Sequence, residues 1–424
     1  MPITSPVLGV EIDFSSGPNF SYPLLLDDIN YGLLDINVLG DAPADVVDIS
    51  NMVMKCSTRR GRNRLLSNFE AGTATVTLND PNSYFNPNNQ DSPYYGKLLP
   101  LRKIRVYADV DLGSPLGIGR YYIFSGYITS YDTGFYLGTN ETATVVLQCS
   151  DGFRLLNNVS TDTAPVPGCT AGQLSGARVN ALLDFASWPS SMRDIDTGES
   201  TMQVDPGGER SLLSAIQTIE QSEFGGFFMD LNGRAKFIDR DTISILADSP
   251  PRVYSDDGVE FGYTNLDFAY DDQLIINKVT VSRVGGTPQT VEDAGSIATY
   301  FTKSGQRSDL LVETDQECLD QANTILATRK DAEQRVDSMT LTLTESDSER
   351  IKSTITLDVY NIMNITKSLP NADPVTFELF CQGVQHDIVP GRWTTKIFTA
   401  EPIIQAFILN SNTQGLLDVN ALSY

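Results

Sequence analysis

Arg59-Arg60-Gly61-Arg62-Asn63-Arg64, followed by Phe69-Glu70-Ala71-Gly72, then Thr73-Ala74-Thr75-Val76-Thr77-Leu78, and closed by Asn79-Asp80-Pro81 and Phe85-Asn86-Pro87, is the stretch whose reading decides the fold. Ala74, Val76 and Leu78 alternate with three threonines, which is the period of a half-buried strand. Asn79-Asp80-Pro81 stops that strand, because proline donates nothing to a ladder and Asn/Asp side chains close turns on their own backbone. The arginine-rich segment before it reads as a basic, glycine-containing loop. Arg60, Arg62 and Arg64, cationic in an acidic chain, are expected to meet an acidic surface on a neighbouring subunit or ring.

The chain has 424 residues, a length that accommodates about two to four domains. Its formal net charge is −24, from 30 basic and 54 acidic side chains, with one histidine. Such a balance excludes stable nucleic-acid binding by phosphate neutralisation, which needs clustered Lys and Arg. It fits either plain solubility or a surface that lets DNA pass without sticking. The longest apolar runs, such as 224–229, fall far short of the ~20 residues of a membrane-spanning helix, so no membrane span is expected. Met1-Pro2-Ile3-Thr4-Ser5 has no basic region leading into an apolar block, so no signal peptide is expected. Cys56, Cys149, Cys169, Cys318 and Cys381 are widely spaced and odd in number, the pattern of free thiols from a reducing compartment. Cys149 follows Ala143, Val145 and Leu147 on one strand face and reads as a small buried hydrophobe.

Working outward, the fold class is mainly β with an α+β insertion: two related small β-barrel or sandwich domains plus an α+β module. Residues 1–158 form an N-terminal barrel-like domain, with strands expected at 104–110, 119–131 and 142–150. Residues 159–248 switch to helical spacing. Val179, Leu182, Leu183 and Ala186 mark one helix that Trp188-Pro189 ends, and Leu212, Leu213, Ile216 and Ile219 mark another. A hairpin comes next on Leu231-Asn232-Gly233-Arg234, since Asn-Gly tolerates the positive φ of a tight turn. Residues 249–370 form a mixed domain with a strand at 274–283, a helix from 314 to about 330 and strands at 338–344 and 354–357. Thr314-Asp315-Gln316-Glu317 has the form of a capping box. Residues 371–424 contribute strands at 376–385 and 392–400 that complete a second barrel, then a terminal docking segment. That segment echoes an earlier one: 29–40 reads INYGLLDINVLG and 412–423 reads NTQGLLDVNALS. The echo is either chance between leucine-rich segments or a pair of similar docking contacts, made through Leu34, Asp35, Leu417 and Asp418.

Catalytic and metal chemistry is sparse. One histidine rules out two-histidine zinc motifs, and the cysteines lack paired spacing. His386, in Gln385-His386-Asp387, reads as a hydrogen-bonded structural imidazole rather than part of a catalytic triad. Asp109-x-Asp111, and Asp194-x-Asp196 with Glu199, lack the ligand series of a calcium loop and read as solvated turns. Residues 113–119 contain glycines but match no phosphate or dinucleotide loop. No catalytic residue, cofactor or metal is expected. A carboxylate-based cell-envelope hydrolase stays open as an alternative, although no carboxylate pair stands out.

Four ordered segments resemble the minor tail proteins of long-tailed phages, especially those infecting actinobacteria. They are Arg60-Gly61-Arg62 through Phe69–Ala74 to Phe85-Asn86-Pro87; Gly176-Ala177-Arg178-Val179 with Trp188-Pro189 and 193–198; Asn277-Lys278-Val279-Thr280-Val281 with 285–290 and Ala298-Thr299-Tyr300; and Gly383-Val384, His386 and Pro390–Thr395. Such proteins are similar to baseplate or tail-tip hubs, distantly including those of contractile-tailed phages. The resemblance implies two related barrels and an α+β module, with three copies placing six barrels in a ring on the tail tube. The implied role is structural: a virion component that closes the distal tail tube, adapts a sixfold ring to a threefold tip and lets DNA through. Implied partners are further copies of itself as a homotrimer, a distal tail ring protein, a tape-measure protein and tail fibre or tip proteins, with DNA only in transit. A distal ring or receptor-binding tail component is the nearest alternative.

Overall fold

The structure is a computed structural model and describes residues 5–402, apart from 16, 21–45, 64–67, 114–115, 135–143, 163 and 345–346. Strands from both ends of the chain share one 13-stranded sheet. The N-terminal strands are β1 (Val7–Asp13), β2 (Val46–Asp48), β3 (Val53–Gly61), β4 (Thr73–Asn79), β5 (Lys103–Asp111), β6 (Ile118–Gly134) and β7 (Thr144–Ser150). They pair antiparallel in the order β3-β4-β7-β6-β5-β1-β2. The later strands Asn265–Ala269, Arg335–Thr342, Arg392–Ala400 and Val375–Val389 neighbour one another in the same way. Ile362–Lys367 pairs with Val375–Val389, and Arg252–Ser255 lies parallel to it. The two groups meet where Val375–Val389 runs antiparallel to β3, with Gly383 opposite Gly61 and Ile388 opposite Cys56.

Alternation explains why these segments form strands. In β4, Ala74, Val76 and Leu78 are buried at 2%, 0% and 0% exposure while the threonines face outward, as the pattern predicts. Asp80 ends the strand: its two carboxylate oxygens accept from the Tyr84 and Phe85 N–H groups at 2.8 Å each. One hydrophobic core runs beneath both groups, from Val10, Val76 and Val106 to Met339, Ile365 and Trp393.

The helices are α1 (Phe153–Asn158), α2 (Ser175–Phe185), α3 (Leu212–Glu223), α4 (Arg240–Ala247), α5 (Ala294–Tyr300), α6 (Asp315–Arg329) and α7 (Ser348–Ile355). A second core joins α1, α2 and α3 to the hairpin Gly226–Met229/Ala235–Ile238. A third packs α6 on the three-stranded sheet of Lys278–Arg283, Gln289–Glu292 and Ser304–Leu310. The capping box of α6 is formed: Thr314 Oγ1 accepts from Glu317 N at 3.2 Å, and Glu317 Oε2 accepts from Thr314 N at 3.0 Å.

Several expectations are corrected. Arg59 and Arg60 do not lie in a loop: β3 extends to Gly61, because Val375–Val389 and β4 satisfy its backbone on both sides. Residues 354–357, expected as a strand, comprise the last two residues of α7 and the turn that ends it. Ile351, Thr354 and Ile355 are buried at helical spacing, and Asp347 caps the start by accepting from Glu349 N. Ser222 and Glu223 are the fully buried last residues of α3. Asp109 and Asp194 lie on strands, not in turns: Asp109 pairs with Arg120 at 3.1 Å and Asp194 with Lys236 at 3.3 Å. No described helix is long and apolar enough to cross a membrane.

Candidate functional site: the junction around Arg60 and Arg62

Strand periodicity sets this site. In β3, Cys56, Thr58 and Arg60 alternate inward, and Arg62, just past the strand end, keeps the same side. Arg60 is 7% exposed and Arg62 5%. Arg60 Nη2 donates to the Met229 carbonyl at 2.8 Å and to Asp358 Oδ1 at 2.9 Å. One side chain on β3 thus ties the α+β hairpin to the turn before Ile362–Lys367. Arg62 Nε donates to Gln382 Oε1 at 2.7 Å and its Nη2 to the Tyr360 hydroxyl at 2.9 Å. The Arg62 guanidinium also lies over the Phe69 ring, 4.3 Å from its centroid, an arrangement that strengthens once water is excluded.

Glycines permit this approach. Gly61 has φ +88°, and a Cβ there would sit 2.3 Å from the Gln382 carbonyl oxygen. Arg62 N donates to that same oxygen at 2.8 Å. Gly72 N donates to Asp151 Oδ2 at 2.6 Å, and Phe153 N to Asp151 Oδ1 at 3.0 Å, which fastens the Phe69–Gly72 corner to the start of α1. Phe69 then packs on Phe228 and Tyr360, with centroids 5.4 and 6.0 Å apart.

Electrostatics around the junction is that of desolvated charge. Burial pushes the Asp151 carboxyl up to about 7, opposed by the two backbone N–H donors and the Arg60 charge. Burial likewise raises Glu220, at the inner face of α3, to about 8 against the pull of Arg62 and Arg307. Burial with the nearby Arg62 charge lowers Arg307 to about 10. Glu220 Oε2 and Arg307 Nη1 each lack a hydrogen-bond partner. The small β module that carries Arg307 therefore reaches the same junction. His386 lies nearby, 3% exposed. Trp393 Nε1 donates to its Nδ1 at 3.2 Å, and Thr395 Oγ1 is 2.9 Å from the same nitrogen. An indole N–H only donates, so Nδ1 accepts and the ring proton sits on Nε2. Burial, helped by the Arg60 charge, pushes the imidazole down to about 3. It is neutral and hydrogen-bonded, the structural role its sequence context predicts.

The structure thus turns Arg60 and Arg62 inward, where their donors are engaged within the chain. Arg59, on the opposite side of β3, is partly exposed and pairs with Glu70 at 3.2 Å. Arg64, Leu34, Asp35, Leu417 and Asp418 lie outside the described residues. Sequence reasoning missed Asp358, Tyr360, Gln382, Glu220 and Arg307, each far from β3 in sequence. The available signal was the two-residue period through Cys56, Thr58, Arg60 and Arg62. All five cysteines are buried free thiols. Among the described residues no group of three or more His, Cys, Asp and Glu side chains is placed to hold a metal ion. The geometry makes a desolvated joint between elements.

The class this fold defines is a mainly β, multi-domain architecture: one sheet spans two barrel-like halves, with an α+β module seated at their junction. Two solved tail proteins share it. A tail protein from Neisseria meningitidis MC58 superposes with a TM-score of 0.52 at 13% identity, covering 83% of this chain and 93% of that one. The 43 kDa tail protein of prophage MuSo2 from Shewanella oneidensis does so with a TM-score of 0.52 at 12% identity, covering 84% and 94%. No protein-family model matches the sequence, and no curated protein matches it.

Proposed function

We propose that this chain is a structural hub of a phage-type tail tip, built to hold shape rather than to carry out a reaction. The observation that carries the reading is the buried junction of Arg60 and Arg62, which locks two barrel-like halves and an α+β module together. It sits in a fold shared over most of their length with two tail proteins. In this role three copies close the distal tail tube, adapt a hexameric ring to a trimeric tip and surround the DNA path. The partners are a distal ring protein, a tape-measure protein and fibre or tip proteins. The net charge of −24 supports a passage on which DNA does not stick. The domain division 1–158, 159–248, 249–370 and 371–424 belongs to this proposal. So does an interface role for Arg64, Leu34, Asp35, Leu417 and Asp418, whereas Arg60 and Arg62 hold the protomer that presents such an interface.

The test is the mass of the purified full chain in solution together with antibody labelling of intact tails. A concentration-dependent trimer and a single label at the distal end are expected. A strict monomer, or label along the tail shaft, would sink the hub reading. Six copies per tail would instead favour the ring alternative.

A further inference from the structure

The outward face of the sheet, where the two halves meet, collects cations in an acidic chain. Register sets Arg59 opposite Gln385 and Gln385 opposite Lys396. Lys55 stands four residues before Arg59 on β3, and Arg392 four before Lys396 on its strand. The two-residue period therefore keeps all four on one face, while Cys56, Thr58, Trp393 and Thr395 between them are buried beneath it. At ~3.3 Å per residue along a strand and ~4.8 Å between strands, the cations mark the corners of a patch roughly 13 by 10 Å.

Inside the patch the row Thr75, Ser57, Asp387, Thr394 is polar. Asp387 has both oxygens engaged, accepting from Ser57 Oγ at 2.7 Å and Gln385 Nε2 at 2.8 Å. Arg59 and Lys396 reach carboxylates at the margins, Glu70 and Asp267, each at 3.2 Å. Lys55 and Arg392 are exposed, and among the described residues neither side chain has an ion-pair or hydrogen-bond partner. With 54 acidic and 30 basic side chains in the sequence, an exposed cation finds a carboxylate readily. Two left unpaired on one face point to carboxylates supplied from outside.

Two kinds of anionic partner answer such a patch, and its own carboxylates separate them. Double-stranded DNA carries one charge per ~1.7 Å of axis however it lies, so phosphates would meet Asp387, Glu70 and Asp267 as well as the cations. A folded protein sets carboxylates only where the cations stand. This chain, at net charge −24, offers such acidic surface itself. We infer that the face around Lys55 and Arg392 docks an acidic surface of a second copy of this chain. Donor and acceptor faces differ, so the contact is heterologous. The inference rests on the homo-oligomer reading above and adds which face makes the contact.

Lys55→Glu combined with Arg392→Glu reverses both unpaired charges and breaks no printed contact within the chain. The double variant is expected to melt with the parent but to self-associate roughly tenfold or more weakly. Arg154→Glu, at an exposed and equally unpaired cation on α1, should leave association unchanged. Added salt should weaken the parent's association and not the double variant's. A carbodiimide, which condenses an amine with a touching carboxylate and releases water, should act on a mixture of isotopically light and heavy chains. Mixed-isotope peptides joining Lys55 or Lys396 to an Asp or Glu are expected. If the parent is a monomer at every concentration even in low salt, this inference and the oligomer reading both fall. If it oligomerises but the double variant associates as well as the parent, or no mixed-isotope peptide forms, the docking face alone is overturned. Loss of binding to a double-stranded oligonucleotide with self-association intact would assign the face to DNA instead, and equally overturn it.

Discussion

At the scale of single residues, Arg62 shows how a charge becomes a structural part. Its donors are taken by Gln382 and Tyr360, its face by Phe69, and its field opposes the burial penalty on Glu220. Arg62→Leu would strand those partners without a donor in a dry interior, a loss of about 3–5 kcal/mol. Arg59→Ala, at a partly exposed ion pair, should cost less than about 1 kcal/mol. Urea denaturation of both variants measures the contrast, and equal effects would contradict the junction described above. His386 illustrates the same logic with a neutral group. Burial, helped by the Arg60 charge, pushes its pKa down to about 3, and the neutral ring accepts from Trp393 at Nδ1. Its role was legible in the sequence from a lone histidine within an apolar strand. The inward turn of Arg60 and Arg62 was not, because one-dimensional text does not say which face of a strand is covered.

At the scale of elements, the decisive contact is the pairing of β3 with Val375–Val389. Two glycines meet there, Gly61 and Gly383, and each would place a Cβ against opposing backbone, at 2.3 Å and 2.7 Å respectively. Gly61 also carries φ +88°. Gly61→Ala is therefore expected to destabilise by more than about 2 kcal/mol through combined backbone strain and steric exclusion. Hydrogen exchange should show the loss concentrated at the amides of 56–62 and 382–388, whereas uniform loss would point away from this seam. Elements with a strong local pattern were readable in advance: β4 from its alternation, α2 and α3 from their apolar spacing, α6 from its capping box. The Thr354–Ile355 segment misled because β-branched residues suit strands, yet burial at Ile351, Thr354 and Ile355 selects the helical period. Tertiary burial outweighed local propensity there.

At the scale of the whole molecule, the buried titratable groups set how stability responds to pH. Glu220 has its folded value raised to about 8, so the unfolded chain releases that proton first. Its contribution to stability is full at acid pH, declines as pH rises from the ordinary carboxylate range towards 8, and is constant above that. His386, lowered to about 3, works in the other direction: stability is lost as pH falls from about 6.5 to about 3. Glu220→Gln should match the parent near pH 4 and gain on it by up to about 1.4 kcal/mol per pH unit on the way to pH 8. Melting curves across that range read the difference directly. A constant offset between the two proteins would mean that Glu220 ionises normally in the folded state.

The mainly β class, the α+β insertion, the individual strands and helices with a clear period, and the structural histidine were determined by the sequence alone. Each depends on neighbours close in the chain or on residue types that are simply present or missing. The single sheet running through both halves, the burial of Arg60 and Arg62, and the meeting of Glu220, Arg307, Asp358 and Tyr360 with β3 were decided only by the tertiary structure. Gly61 and Gly383 stand far apart in sequence and touch in space. Their contact is set by which strand edges remain unpaired after each half has folded, and unpaired backbone in a buried sheet must find a partner.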